Sequence, residues 1–238
     1  MSVKIYGKNS CGEIIDVKKP IIQAFIMEKT NSDFYNILKR RDIKITVLNK
    51  QEFKSLFQGN HQGIVLEVED YQTFELKDIL ADLDLTLNPL LIMLDGITDA
   101  HNLGAIIRTC EAGGVAGIII PKNRSARIDG VVAKTSSGAV EHIKIIEVVN
   151  LRNTLETLKK SGFWTIGTHL DAEEEYSSIF IDRPLCVVIG SEGKGISRIV
   201  KETVDFNVKI PMAGKVNSLN ASVSAGIIIF DILRKKKG

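Results

Sequence analysis

Cysteines, histidines and long apolar runs are all scarce in this sequence. Its three cysteines (Cys11, Cys110 and Cys186) lie far apart, so we expect no disulfide framework and a reducing compartment. The four histidines are equally scattered, so no metal site is expected. The longest apolar runs, such as residues 226–230, are too short to span a bilayer, and no signal segment opens the chain. These features predict a cytoplasmic protein without a membrane or metal partner.

The composition, with 44% hydrophobic and 25% charged residues, is typical of a soluble globular protein. A length of 238 residues leaves room for one large domain or two modest ones. Residues 1–62 contain 11 Lys and Arg against 6 Asp and Glu. This local excess of positive charge fits a polyanionic partner, and it fits a solvated surface with a chance bias equally well.

Residues 1–70 are predicted to form a small α/β domain. Strand-like segments at 20–28, 43–49 and 63–71 alternate with helical segments at 32–41 and 50–57. Residues 71–88 contain fewer apolar side chains and more acids, and they end before Pro89. We expect a linker there, partly helical around residues 76–83, followed by a second domain at 89–238.

After Pro89, near-continuous apolar strands are separated by helical segments. The six strand candidates are residues 90–94, 117–121, 142–148, 163–168, 185–190 and 206–211. Strands that are apolar on both faces predict a parallel sheet covered by helices on both sides. Ligands bind at the carboxyl ends of such strands, and three unusual polar stretches of this chain follow strands there.

The first stretch is "LDGITDAHNLGAIIRTCEAGG", residues 94–114. Asn102 precedes an apolar periodic run and is predicted to cap a helix that ends at Gly113 or Gly114. The predicted buried stripe of this helix is Leu103, Ile106, Ile107 and Cys110. Arg108 lies off that stripe, where its planar guanidinium could bind a phosphate or could simply face solvent.

The second stretch is "VVIGSEGKGIS", residues 187–197, which resembles a phosphate-binding loop but fails its spacing rules. The Walker pattern requires Gly-Lys-Ser/Thr where this chain has Gly195-Ile196-Ser197, and Arg198 occupies the third glycine of a dinucleotide fingerprint. Glu192 would also repel a phosphate. The loop therefore suits a cationic or neutral ligand, or it is a tight structural turn.

The third stretch is "KIPMAGKVNSLNASVSAGIIIFDIL", residues 209–233. A strand ends at Pro211, and a long apolar helix follows, for which Asn217 or Ser218 is the predicted cap. Asn220 adds a further polar side chain near the start of this helix, among small residues. Small and polar residues there indicate close approach of a backbone or a ligand, although a well-capped core helix remains the alternative.

Taken together and in this order, "NLGAIIR", "IGSEGKGIS" and "IPMAGKVNSLNASVSAG" resemble the three motifs of the SpoU (TrmH-type) family of RNA ribose 2′-O-methyltransferases. The resemblance covers the chain from about Leu90 to its end. Within the family, "KTSSGAVEHIKI" and "NHQGIVLEV" resemble the bacterial enzymes that methylate a guanosine in the peptidyl-transferase region of 23S ribosomal RNA.

The resemblance implies a knotted parallel-sheet (SPOUT, trefoil knot) methyltransferase domain after a small α/β RNA-binding domain. It also implies S-adenosylmethionine as cofactor, 23S ribosomal RNA as partner and a homodimer. The positions that match the family's catalytic or substrate-handling residues are Asn102, Arg108, Glu192, Ser218 and Asn220. The positions that match its cofactor-binding residues are Gly190, Ile210 and Leu219, with Thr168 and Met212 nearby.

Three other functions are weighed against this one. A transfer RNA guanosine 2′-O-methyltransferase of the same family would share all three motifs. A non-catalytic RNA-binding factor for ribosome assembly would keep the fold, but intact Asn102, Arg108 and Glu192 argue against it. A nucleotide-phosphate enzyme is disfavoured by Glu192 and by the failed Walker spacing.

Overall fold

The computed structural model describes residues 2–215 and 218–237. The chain divides into two compact units, the first made of Met1–Tyr71 with Arg127–His142 and the second of Gln72–Ala126 with Ile143–Gly238. In the sequence, residues 127–142 fall inside the predicted methyltransferase domain, yet in the structure they pack into the first unit. The domain boundaries predicted from the sequence, at 70 and 88, stay a prediction.

The first unit contains a four-stranded sheet in the order β1-β4-β2-β3. Its strands are β1 (Ser2–Tyr6), β2 (Ile21–Met27), β3 (Ile45–Leu48) and β4 (Ile64–Glu69), and its first helices are α1 (Lys8–Asp16), α2 (Ser32–Arg40) and α3 (Lys50–Leu56). The three predicted strands and two predicted helices of this region are confirmed. The sequence pattern does not predict α1, because Gly12 interrupts it and no side chain caps it.

The second unit contains a seven-stranded sheet in the order β7-β6-β5-β10-β8-β11-β9. The strands are β5 (Leu90–Asp95), β6 (Gly117–Pro121), β7 (Ile145–Val148), β8 (Trp164–Thr168), β9 (Glu174–Glu175), β10 (Leu185–Gly190) and β11 (Phe206–Lys209). All neighbouring strands run parallel. The predicted α/β fold with a parallel sheet is therefore confirmed.

The remaining helices are α4 (Leu76–Asp82), α5 (Ala100–Ala112), α6 (Gly130–Thr135), α7 (Leu151–Lys160), α8 (Arg198–Thr203) and α9 (Ala221–Lys237). All of these belong to the second unit except α6, which lies in the first. Strand β10 lies in the middle of the second sheet with all of its residues buried, which explains why its sequence is apolar on both faces.

Two predicted strands of the second unit are shorter by two or more residues in the structure. The strand predicted at 142–148 begins only at Ile145, because His142 still belongs to the first unit and bonds to Glu13 there. The strand predicted at 206–211 ends at Lys209. Across the described residues, no helix is long and apolar enough to cross a membrane.

Segment 127–142 completes the first unit through close packing. The side chain of Asp129 caps α6 by accepting from the backbone N–H groups of Val131 and Val132, at 2.9 and 3.0 Å. Gly130 lies against β1 so closely that a Cβ atom there would stand 2.2 Å from the carbonyl oxygen of Lys4. The buried hydroxyl of Ser10 donates to the carbonyl oxygen of Ala133 at 3.1 Å.

Candidate active site

Helix α5 begins one turn earlier than the sequence predicts. Asp99 is its cap, because the Asp99 carboxylate accepts from the backbone N–H groups of His101 and Asn102 at 3.3 and 3.1 Å. The predicted cap Asn102 is therefore wrong, and Asn102 is the third residue of the helix. The Asn102 side chain therefore does not cap the helix, and it projects from the first turn of α5, which follows β5 in the chain.

The rest of the α5 prediction is confirmed. Leu103, Ile106, Ile107 and Cys110 are fully buried, and Gly113 follows the last helical residue. Arg108 lies six residues after Asn102, so the rise along the helix separates the two residues by about 9 Å. The Arg108 side chain is exposed. The guanidinium therefore lies on an accessible part of the helix surface.

The loop between β10 and α8 is a closed turn that uses its own backbone donors. Ser191 and Gly195 exchange hydrogen bonds, with N···O distances of 3.2 and 2.9 Å, and the N–H group of Lys194 donates to the carbonyl of Glu192. The N–H group of Ser197 donates to the carboxylate of Asp95 at 2.6 Å. These donors are engaged within the protein, so the loop does not form the open cradle of amides that binds a phosphate.

Gly190 is required by the approach of two backbone segments. A Cβ atom at this position would stand 2.1 Å from the carbonyl carbon of Gly195 and 2.3 Å from the nitrogen of Ile196. Gly193 and Gly195 have positive φ angles of 73° and 64°, which only glycine adopts easily. The sequence of this loop thus specifies a tight turn that directs the Glu192 side chain outward.

Helix α9 begins at Ala221 and is capped by Asn220. The Oδ1 atom of Asn220 accepts from the N–H group of Ser222 at 2.9 Å and from its hydroxyl at 2.6 Å. The predicted cap Ser218 is therefore wrong, since it precedes the helix by three residues. The alternative cap, Asn217, lies outside the described residues.

Side chains from the three motifs meet at Glu192. Its Oε1 atom accepts from the amide of Asn102 at 3.2 Å and also from the amide of Asn220. The Asn220 amide additionally lies 2.9 Å from the Oδ1 atom of Asn102. One carboxylate thereby joins the starts of α5 and α9 to the loop after β10, which no local sequence pattern could predict.

A pocket of about 610 Å³, counted out to the solvent, opens beside this triad. Five of its lining residues are the predicted cofactor positions Thr168, Gly190, Ile210, Met212 and Leu219, and Glu192 and Ser218 also line it. Asn102, Arg108 and Asn220 do not. His169 and Lys209 line the pocket without having been predicted, although both lie at the carboxyl ends of strands, where ligands of parallel sheets bind.

Most of the surface that lines the pocket is apolar, and Glu192 is the acidic residue among its lining residues. The hydroxyl of Thr168 donates to the carbonyl oxygen of Val188 at 2.9 Å, which holds the wall formed by β8 against β10. No group of three or more His, Cys, Asp or Glu side chains that could hold a metal is found in the part of the chain that the structure describes.

Two regions of the chain match known protein families. Residues 89–230 match the SpoU rRNA Methylase family, and residues 4–74 match a model described as RNA 2′-O ribose methyltransferase substrate binding. The two matches together define an RNA 2′-O-ribose methyltransferase with a separate substrate-binding region. The chain belongs to the SpoU rRNA methylase family, and the family predicted from the sequence is confirmed.

Relatives and solved structures agree with this family. A Bacillus subtilis protein assigned to the TrmH family of tRNA/rRNA methyltransferases, YacO, is 40% identical over 98% of this chain and 95% of its own length. An AdoMet-bound rRNA methyltransferase from Sinorhizobium meliloti has a similar fold, with a TM-score of 0.82, 22% identity and coverage of 98% and 87% of the two chains. The A. aeolicus TrmH/SpoU tRNA modifying enzyme matches with a TM-score of 0.58 and 29% identity, over 68% of this chain and 82% of its own.

Proposed function

We propose that this protein transfers the methyl group of S-adenosylmethionine to the ribose 2′-hydroxyl of a guanosine in 23S ribosomal RNA. The observation that carries the proposal is the contact of Glu192 with Asn102 and Asn220 beside a pocket lined by all five proposed donor-binding residues. A ribosomal RNA target is supported by the extent of the matches. The rRNA methyltransferase of S. meliloti matches nearly the whole chain, whereas the A. aeolicus tRNA modifying enzyme matches 68% of it.

The pocket fits the proposed donor. Aliphatic walls suit an adenosine group, and the carboxylate of Glu192 is compatible with a cationic ligand where a phosphate would be repelled. The residues that would hold the donor are Thr168, Gly190, Ile210, Met212 and Leu219. When bound, S-adenosylmethionine supplies an electrophilic methyl group on a positively charged sulfur.

The residues of the chain then have to place the 2′-oxygen in line with the donor and keep water out. A guanidinium group keeps its proton in proteins, so Arg108 is poorly suited to accept the proton of the 2′-hydroxyl. We assign Arg108 to binding an RNA phosphate and stabilising negative charge on the 2′-oxygen, with the proton passing to solvent. Glu192 orients the two asparagines, and Ser218 contributes a hydroxyl to the pocket wall.

We also propose that the protein forms a homodimer with composite active sites, contains a trefoil knot and is located in the cytoplasm. Helix α9 presents Val223 and Phe230, which are 48% and 46% exposed and seven residues apart, so they share one face. A second copy of the chain could cover this apolar face, and light scattering would report the resulting mass.

Free, buried thiols at Cys11, Cys110 and Cys186 fit a reducing compartment.

The proposal is tested by methyl transfer from labelled S-adenosylmethionine to purified ribosomal RNA and to purified transfer RNA, in separate reactions. We expect label in 23S ribosomal RNA at a single guanosine. Label that enters only transfer RNA would overturn the proposed substrate, while leaving the reaction type intact.

A further inference from the structure

Lys134 and Lys54, from two elements of the first unit, lie near His61, and Lys4 lies at the far end of an adjoining aromatic cluster. Lys4 belongs to β1, Lys54 to α3 and Lys134 to α6, the helix of segment 127–142. We call this group, with His61, the lysine surface. Lys134 is outside residues 4–74, which match the substrate-binding model, so nothing in that match assigns it a role.

Aromatic rings connect the members of the lysine surface. The Nζ atom of Lys4 lies 5.4 Å from the ring centroid of Phe57, which packs on Phe53 with a centroid separation of 5.0 Å. The ring of Phe53 in turn lies 4.7 Å from that of His61. Lys4 and His61 therefore lie at the two ends of one continuous aromatic cluster.

The positive charges of Lys54 and Lys134 affect the pKa of the His61 imidazole. Burial lowers the pKa of His61, and the positive charges of Lys134 and Lys54 lower it further. Direct contact also places Lys134 beside this ring, since its Nζ atom donates to the backbone carbonyl of Asn60, the residue before His61. Among the described residues, none of the three lysines forms an ion pair, whereas Lys19 in the same unit pairs with Glu141 at 3.2 Å.

Lys134 is held in place before any ligand binds. Its Nζ atom lies 5.4 Å from the ring centroid of Tyr6 and donates to the backbone carbonyl of Asn60. The cap of α6 by Asp129 and the close packing of Gly130 on β1 fix the backbone that carries it. A lysine that is already ordered loses less entropy when it binds an anion.

We propose that the lysine surface binds the phosphate backbone of RNA, and that Lys134 is one of its contacts. The inference rests on the proposed function for RNA as the substrate. Positive charge of this kind attracts RNA independently of sequence, because binding releases the counterions condensed on phosphates. Lys134 lies between β6 and β7 in the chain, so a segment encoded within the methyltransferase region supplies part of the RNA-binding surface.

The test uses the full chain, three lysine-to-methionine variants and one variant, Lys134→Arg, that keeps the charge. Lys54→Met and Lys134→Met each remove one charge from the lysine surface. Lys39→Met is the matched control, because Lys39 also lies near a tyrosine ring, at 5.9 Å from that of Tyr35, but it is in the last turn of α2. RNA affinity is measured over a range of salt concentrations with a 23S ribosomal RNA fragment and with an unrelated RNA of equal length.

We expect each surface variant to weaken binding to both RNAs by about fivefold and to reduce the salt slope by about one. The KM for RNA should rise while kcat at saturating RNA and the thermal midpoint stay near the wild-type values. Lys134→Arg, which keeps the charge, should restore binding. Binding and salt slopes equal to those of Lys39→Met would overturn the proposal.

The variants also keep this test separate from the proposed function. Lys54 is exposed, so Lys54→Met remains informative if Lys134→Met unfolds the first unit. If the wild-type protein methylates only transfer RNA while both surface variants still bind RNA weakly, the proposed target fails and the lysine surface stands. If the wild type methylates 23S ribosomal RNA and both surface variants bind RNA normally, the lysine surface proposal fails and the proposed target stands.

Discussion

Asn220 joins the cap of helix α9 to the carboxylate of Glu192. Its side-chain oxygen accepts from the N–H group of Ser222, while its side-chain nitrogen donates to Glu192. The same carboxylate oxygen accepts from Asn102 at the start of α5. Movement of the loop after β10 would therefore disturb the starts of both helices, and the acid links the donor pocket to the proposed RNA-facing side chains.

Replacing Glu192 with Gln should impair the orientation of the site more than its chemistry. The amide keeps one acceptor oxygen but loses the charge that strengthens both hydrogen bonds, so the two asparagines are held less firmly. We expect weaker S-adenosylmethionine binding in calorimetry or a lower thermal midpoint, with turnover reduced about tenfold. Unchanged donor affinity and thermal midpoint with abolished turnover would show that Glu192 has a direct chemical role.

Replacing Gly190 with Ala should displace the loop that carries Glu192. The new Cβ atom would stand 2.1 Å from backbone of Gly195, so the loop must move, at a cost of about 1–3 kcal/mol. Donor affinity and the thermal midpoint should both fall. Gly214→Ala is the matched control, because a Cβ there meets nothing within 4 Å and its φ is not positive. Equal behaviour of the two variants would contradict the close approach at Gly190.

Replacing Gly130 with Ala should destabilise the first unit, because its Cβ would stand 2.2 Å from the carbonyl oxygen of Lys4. Gly12→Ala in α1 provides the control within the same unit. A Cβ at Gly12 meets nothing within 4 Å, and alanine favours a helix by up to about 1 kcal/mol. Thermal unfolding should therefore move in opposite directions in the two variants. A neutral Gly130→Ala would mean that segment 127–142 does not pack on β1.

Replacing Arg108 with Lys should lower turnover while leaving donor binding intact. Lysine keeps the charge but loses the planar fork that binds phosphate through two N–H groups, and Arg108 does not line the donor pocket. We expect kcat/KM for RNA to fall at least tenfold with unchanged calorimetric affinity for S-adenosylmethionine. Full retained turnover would exclude a role for the guanidinium fork.

The sequence predicts the sheet of the second unit well because its strands are specified locally. The apolar runs at 117–121 and 185–190 coincide with β6 and β10, since burial on both faces leaves no polar position within them. The caps were harder to predict. The first turn of α5, residues 100–102, contains no buried side chain, so the apolar period begins only at Leu103, one turn after the actual cap Asp99.

The contacts that define the site and the first unit depend on residues far apart in the chain. Asn102, Glu192 and Asn220 each lie in a separate motif, and their meeting follows from the order of strands in the sheet. The packing of segment 127–142 depends on small residues whose neighbours a sequence pattern does not reveal, such as Gly130 against β1 and Gly138 against Glu13 of α1. Only the resemblance to a family could bring the three motifs together before the structure.

The identity of the methylated nucleoside tests the proposed reaction. After reaction with S-adenosylmethionine, 23S ribosomal RNA is digested to nucleosides and analysed by mass spectrometry, for the wild-type chain and for Arg108→Ala. We expect 2′-O-methylguanosine from the wild type and little or none from the variant. A methyl group on a base, or equal 2′-O-methylation by both proteins, would contradict it.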